Sequence, residues 1–168
     1  MKIYVTNLFD LPAHVAIIRP GYLVSIIQPL FQPETPPEIE PQRHLRVGVD
    51  DVVEPTAGSV VPGQAHIEGL IGFLHDWPAE ESLMLHCYAG ISRSTAAALI
   101  AHFMKCGDEF ASAHALRTAA PHASPNRRII ALADDILGCG GRLVEARAAM
   151  GPRQPVTEVP LVELSLVS

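Results

Sequence analysis

The chain has 168 residues, 48% of them hydrophobic, which is the length and apolar content of one ordinary globular domain. Its formal net charge of -6, with two lysines among twelve basic residues, offers no broad positive field, so no nucleic-acid partner is expected. The three cysteines, Cys87, Cys106 and Cys139, form neither a disulfide framework nor a zinc-spaced pair, and the scattered histidines lack ligand spacing, so no metal is expected.

Lys2 to Val5 is short, apolar and branched, and predicts the first strand. No charged leader with an apolar core precedes it, and no apolar run approaches the roughly 20 residues a bilayer needs. A cytoplasmic protein with free thiols and no membrane contact is the expectation. Tyr22 to Ile27 predicts a second strand. Residues 28 to 41 follow, with five prolines and three glutamates, a composition that continues neither a helix nor a central strand and predicts an exposed loop.

Further strands are predicted at Leu45 to Val49 and Leu83 to His86, with a helix over Gln64 to Trp77 between them. Helical spacing then occupies Ser92 to Lys105, Asp108 to Ala119, and Pro125 to Met150, the last broken near Gly138 to Gly141. Such alternation implies an α/β fold with a central, mostly parallel sheet flanked by helices. Residues 1–150 are expected to form a single domain and 151–168 a C-terminal tail. Its end, LVELSLV, suits an edge strand, an intermolecular contact or plain disorder.

Chemistry concentrates in LMLHCYAGISRS: an apolar strand, then His86 and Cys87, a loop of Tyr88, Ala89, Gly90, Ile91 and Ser92, then Arg93 and Ser94 opening an alanine-rich helix. A loop of this length directs successive backbone N–H groups inward and adds a helix N-terminus, so a dianion is held at its centre. Gly90 relieves the tight turn. Arg93 supplies a planar fork for two phosphate oxygens, and Cys87, placed where the donors converge, is nucleophilic without a metal or cofactor. A cysteine six positions before an arginine is weak evidence in a chain with ten arginines; the added His, Gly and Ser make the pattern specific.

HCYAGISRS resembles the signature loop of the protein tyrosine phosphatase superfamily. Downstream, ASPNRRIIALADDIL resembles the Pro-Asn segment of its dual-specificity branch, and HLRVGVDDV resembles the strand and turn that carry the family's general acid. Together these cover about residues 44 to 137. The resemblance implies a tyrosine/dual-specificity phosphatase-like fold and a cysteinyl-phosphate intermediate on Cys87. It implies a phosphorylated protein or another phosphate monoester as substrate, and a supporting role for Asn126 against the loop. Phosphotyrosine is the favoured target, with phosphoserine and phosphothreonine open.

One carboxylate must protonate the leaving oxygen and then activate water. Asp50 and Asp51 both end the preceding strand, and the pattern permits either. In the family the chain resembles, the acid is often followed by an apolar residue, which implies Asp51, before Val52, with Asp50 the alternate. Asp76, in HDWPAEE, reads as a solvated helix end. Strand alternation points His86 away from Cys87, toward the loop backbone. Ser94 either donates to the departing thiolate, as the resemblance implies, or is an ordinary helix-start hydroxyl. Arg127 and Arg128 read as exposed helix arginines, and Cys106 and Cys139 as core filler rather than partners for an oxidised Cys87. Two competing readings are a rhodanese-like sulfurtransferase and a phosphoprotein-binding module without turnover. Oligomeric state is not legible.

Overall fold

The computed structural model describes residues 2–166. Its sheet has the order β3-β2-β4-β1-β5, built from β1 (Lys2–Thr6), β2 (Tyr22–Ile27), β3 (His44–Gly48), β4 (Leu83–His86) and β5 (Val162–Ser165). The pairs β2 with β3, β2 with β4 and β1 with β4 are parallel, and β5 runs antiparallel to β1. Parallel strands covered on both faces read as continuous apolar runs, which is why YLVSII and LMLH carry little alternation.

Helices α1 (Leu11–Ile18), α2 (Gln64–Asp76), α3 (Arg93–Cys106), α4 (Glu109–Ala119), α5 (Arg127–Leu137) and α6 (Arg142–Ala149) complete the layers. Most of α3 is buried: Ala96, Ala97, Ala98 and Ala101 let its backbone lie close to the sheet, and α2, α4 and α5 pack around it. This side holds the large core, with Ile3, Val5, Val24, Ile26, Leu83 and Leu85 from the strands. A smaller core on the other face joins Leu23 and Met84 to Leu11 and Val15 of α1 and to Ile39.

Two regions differ from expectation. No helix is predicted at Leu11–Ile18, because LPAHVAII is short and almost uniformly apolar, so helical spacing leaves no mark in it. Pro12 in its first turn and Arg19 in a left-handed cap define its ends. The stretch 28–41 is more than an exposed loop: it makes 3-10 turns at Pro29–Phe31 and Pro41–Arg43 and buries Ile39. Gln32 Nε2 there donates to the carbonyls of Ile27 at 2.9 Å and Val47 at 3.1 Å, pinning the segment across β2 and β3.

Beyond Gly151, β5 takes the edge-strand option, burying Val162 and Leu164 against β1 while Glu163 pairs with Lys2 at 2.5 Å. Val167 and Ser168 lie outside the described residues. Among the described residues no helix is long and apolar enough to cross a membrane.

Candidate active site

The carboxyl end of a central parallel strand is where open α/β sheets bind ligands, and β4 delivers Cys87 there. The loop from Cys87 to Arg93 has its carbonyls turned outward and occupied. Leu8 N donates to Tyr88 O at 3.1 Å, Ser124 N to Ile91 O at 2.9 Å, and Asn126 N to Ser92 O at 3.2 Å. Thr95 Oγ1 adds a bond to Ser92 O at 3.0 Å. With carbonyls facing out, the loop amides face in, and Gly90 N donates to Cys87 Sγ at 3.2 Å. Gly90 has φ +73°, and an added Cβ would come 3.0 Å from Thr6 O. Left-handed backbone alone costs an ordinary residue roughly 1–2 kcal/mol, so glycine is required on two counts.

Cys87 is buried, with its sulfur 3.1 Å from Ser94 Oγ. His86 lies wholly buried on the far side of the strand, its Nδ1 3.2 Å from Cys87 O. Burial pushes its pKa down to about 4, helped by the charge of Arg93 and opposed by the Cys87 carbonyl, so the imidazole is neutral.

Arg93, at 4% exposure, is held along one edge: Nη1 donates to Gln28 Oε1 at 2.7 Å and to Val49 O at 2.9 Å. Its buried Nε has no partner among the described residues. A buried unpaired guanidinium N–H is costly, and an anion in the loop would relieve it.

Asp51 and Asp50 go to different places. Asp51 Oδ1 accepts from Ser92 Oγ at 2.7 Å and Asn126 Nδ2 at 2.9 Å, which sets the carboxylate at the rim of the cleft. Asp50 instead accepts from Val60 N at 2.7 Å, closing its own loop. Asn126 also caps α5, accepting from Arg128 N and Ile129 N. It therefore ties together the loop backbone, Asp51 and a helix start.

The cleft has a volume of about 400 Å³ and is lined by Gln28, Phe31, Asp51, Tyr88, Ala89, Ile91, Ser92 and Arg93 around Cys87. Tyr88 and Phe31 stack edge-on at its mouth, 5.5 Å between centroids, and Phe9 stacks on Tyr88 at 5.4 Å. Gln28 and Phe31 have no counterpart in the sequence reading; the usable signal was Gln28's place at the carboxyl end of a parallel strand. Arg128 donates to Pro62 O, away from the cleft. Arg127 lines a neighbouring groove with Arg147. Asp76 stays exposed at the end of α2. Cys106 ends α3, whose 14 residues at 1.5 Å rise carry it about 20 Å from the loop, beyond disulfide reach of Cys87.

No protein-family model matches the chain, and no curated protein matches it. Solved structures do. DUSP15 superposes with a TM-score of 0.64 at 21% identity, covering 91% of this chain and 92% of that one. The fold is that of the dual-specificity phosphatases. Human DUSP28 gives a TM-score of 0.58 at 18% identity over 82% of this chain and 88% of its own. A structure of PTPMT1 in complex with PI(5)P gives 0.56 at 14% identity over 87% and 94%. Within this fold the loop after β4 occupies the mouth of the sheet, and the segments after β2 and β3 supply the other walls of the cleft.

Proposed function

We propose that the protein is a cysteine-dependent phosphatase that hydrolyses phosphate monoesters in this cleft. The observation that carries the reading is the convergence on one small cavity of a buried cysteine sulfur, inward amides, the unpaired edge of Arg93 and the carboxylate of Asp51. The phosphoryl group sits among the loop amides from Tyr88 to Arg93, with two oxygens on the Arg93 fork. Cys87 Sγ attacks phosphorus, the ester P–O bond breaks, and Asp51, entering protonated, gives its proton to the leaving oxygen. Water then attacks the cysteinyl phosphate, Asp51 takes a proton from it, and the S–P bond breaks with Ser94 Oγ donating to the departing sulfur. Inorganic phosphate leaves and the enzyme returns to its starting state. Asp51 is preferred to Asp50 because its carboxylate borders the cleft, whereas that of Asp50 is spent on Val60 N.

A phosphorylated protein is the preferred substrate, phosphotyrosine above the shorter phosphoserine and phosphothreonine. The aromatic rim of Phe31 and Tyr88 favours an aryl ester, and the loop side chains from Tyr88 to Ser92 include no cation for a polyphosphorylated headgroup. A panel of phosphotyrosine, phosphoserine and phosphothreonine peptides with phosphoinositides, assayed in excess chelator, tests this. The expected result is the highest kcat/KM on phosphotyrosine peptides and competitive inhibition by vanadate, whose bipyramidal form resembles the transferring phosphoryl group. Turnover that depends on added metal would overturn the mechanism.

A further inference from the structure

Behind the catalytic loop runs a chain of polar side chains that the proposed reaction does not use. Ser25 and His86 are register partners on β2 and β4, and His44 on β3 pairs with Leu23, two residues before Ser25. Strand alternation therefore puts all three on one face of the sheet, the face covered by α1 and the proline-rich segment. Ser25 Oγ lies 2.6 Å from His86 Nε2 and 2.7 Å from His44 Nε2. His44 Nδ1 lies 2.9 Å from Thr35 Oγ1, which accepts from Arg46 Nη2 at 3.1 Å.

The Cys87 end dictates the direction of every bond in the chain. Cys87 O can only accept, so His86 Nδ1 carries the hydrogen and its Nε2 must accept. The single hydroxyl hydrogen of Ser25 is thus spent on His86, so Ser25 accepts from His44 Nε2–H. His44 Nδ1 accepts in turn, and Thr35 directs its hydrogen there while Arg46 donates to a Thr35 lone pair. One polarity satisfies all the links with both imidazoles neutral. Burial agrees, pushing the pKa of His44, like that of His86, down to about 4.

We infer that Thr35, His44 and Ser25 are positioning residues that lock His86 in the tautomer protonated on Nδ1, and so hold the Cys87 peptide and the reactivity of its sulfur. In the other tautomer a ring lone pair would face the Cys87 carbonyl, and the peptide from which the loop amides begin would swing away. Arg46 Nε also donates to Pro33 O at 3.1 Å. The seating of the proline-rich segment on β3 is thereby coupled to the loop after β4. This device rests on the reading of Cys87 as the nucleophile, but not on any substrate.

Two measurements on a Cys106→Ser, Cys139→Ser parent test it: the rate of Cys87 alkylation by iodoacetamide at pH 6, and the imidazole nitrogen resonances of His86. Ser25→Ala should slow alkylation about tenfold and redistribute the His86 tautomer. Thr35→Val, nearly isosteric at the half-buried end of the chain, should shift the same resonances with about a threefold slower reaction, and Thr35→Ser should restore both. Folded Ser25→Ala or Thr35→Val proteins with unchanged rates and resonances would overturn the inference, as would a Thr35→Ser protein indistinguishable from Thr35→Val. Should Ser25→Ala not fold, the Thr35 pair decides alone. Neither readout needs turnover. A parent that hydrolyses no phosphate ester would remove the phosphatase reading and leave this test intact.

Discussion

The loop from Cys87 to Ser94 and the segment from Gln28 to Pro41 meet at one cleft, yet they contribute to it by different physics. The first works through its own backbone: outward carbonyls, inward amides, a glycine at positive φ and a helix start, all within eight residues. The second works through placement, since Gln28 and Phe31 matter only because Gln32, Ile39 and Arg46 fasten the segment to the sheet. Chemistry carried by contiguous backbone is compact, whereas chemistry carried by packing is spread over the residues that do the packing.

Substitutions of the reacting groups, in the first region and at the Asp51 that Ser92 of that region holds, should therefore separate by orders of magnitude from those in the second. On the proposed mechanism Cys87→Ser abolishes turnover while preserving the fold and phosphate binding, since serine is nearly isosteric but a far weaker nucleophile. Measurable multiple turnover by that variant would remove the assigned nucleophile. Next in size, Asp51→Asn should slow phosphopeptide hydrolysis by about 10² to 10⁴-fold, but aryl phosphates with good leaving groups much less, because a poor leaving oxygen depends on protonation. Asp50→Asn should lack that contrast, and if it alone has it, the acid is one residue earlier. Arg93→Lys should lose about 10² to 10³-fold in kcat/KM, nearly as much as Arg93→Ala, because a point charge cannot replace a planar fork.

Gln28→Ala tests the second region. It leaves the charge of Arg93 but removes one of its two anchors, so a loss of about tenfold in kcat/KM is expected. A loss as large as that of Arg93→Ala would erase the distinction between the regions.

The smallest effect at neutral pH belongs to the buried imidazoles beneath both loops. His44 and His86 titrate near 6.5 when unfolded and at about 4 when folded. Between those values the unfolded chain takes up protons that the folded chain does not. Stability is thus fully present above the unfolded value and falls as pH drops toward 4, by up to about 1.4 kcal/mol per pH unit for each histidine. His102 and His122, also lowered by burial, act with the same sign. Urea unfolding at pH 7 and pH 5 measures this, and His44→Gln should flatten the slope.

The parallel strands, the four longer helical stretches and the loop after β4 were legible in the amino-acid sequence because each is dictated by local order: branched apolar runs, helical spacing, and a glycine-bearing turn between strand and helix. Three things were decided only in three dimensions. Asp51 turns to the cleft and Asp50 away because Ser92 and Asn126, 41 and 75 residues distant, offer donors to one and Val60 to the other. Helix α1 exists because Leu11 and Val15 find Leu23 and Met84 to bury against, a contact invisible in eight apolar residues. The direction of the bonds from Arg46 to Cys87 follows from the carbonyl acceptor at the end of a path through three strands and a loop. Sequence determines what each residue can donate, accept or bury; which partner it meets depends on segments brought together from far along the chain, and that is where the specificity of this site resides.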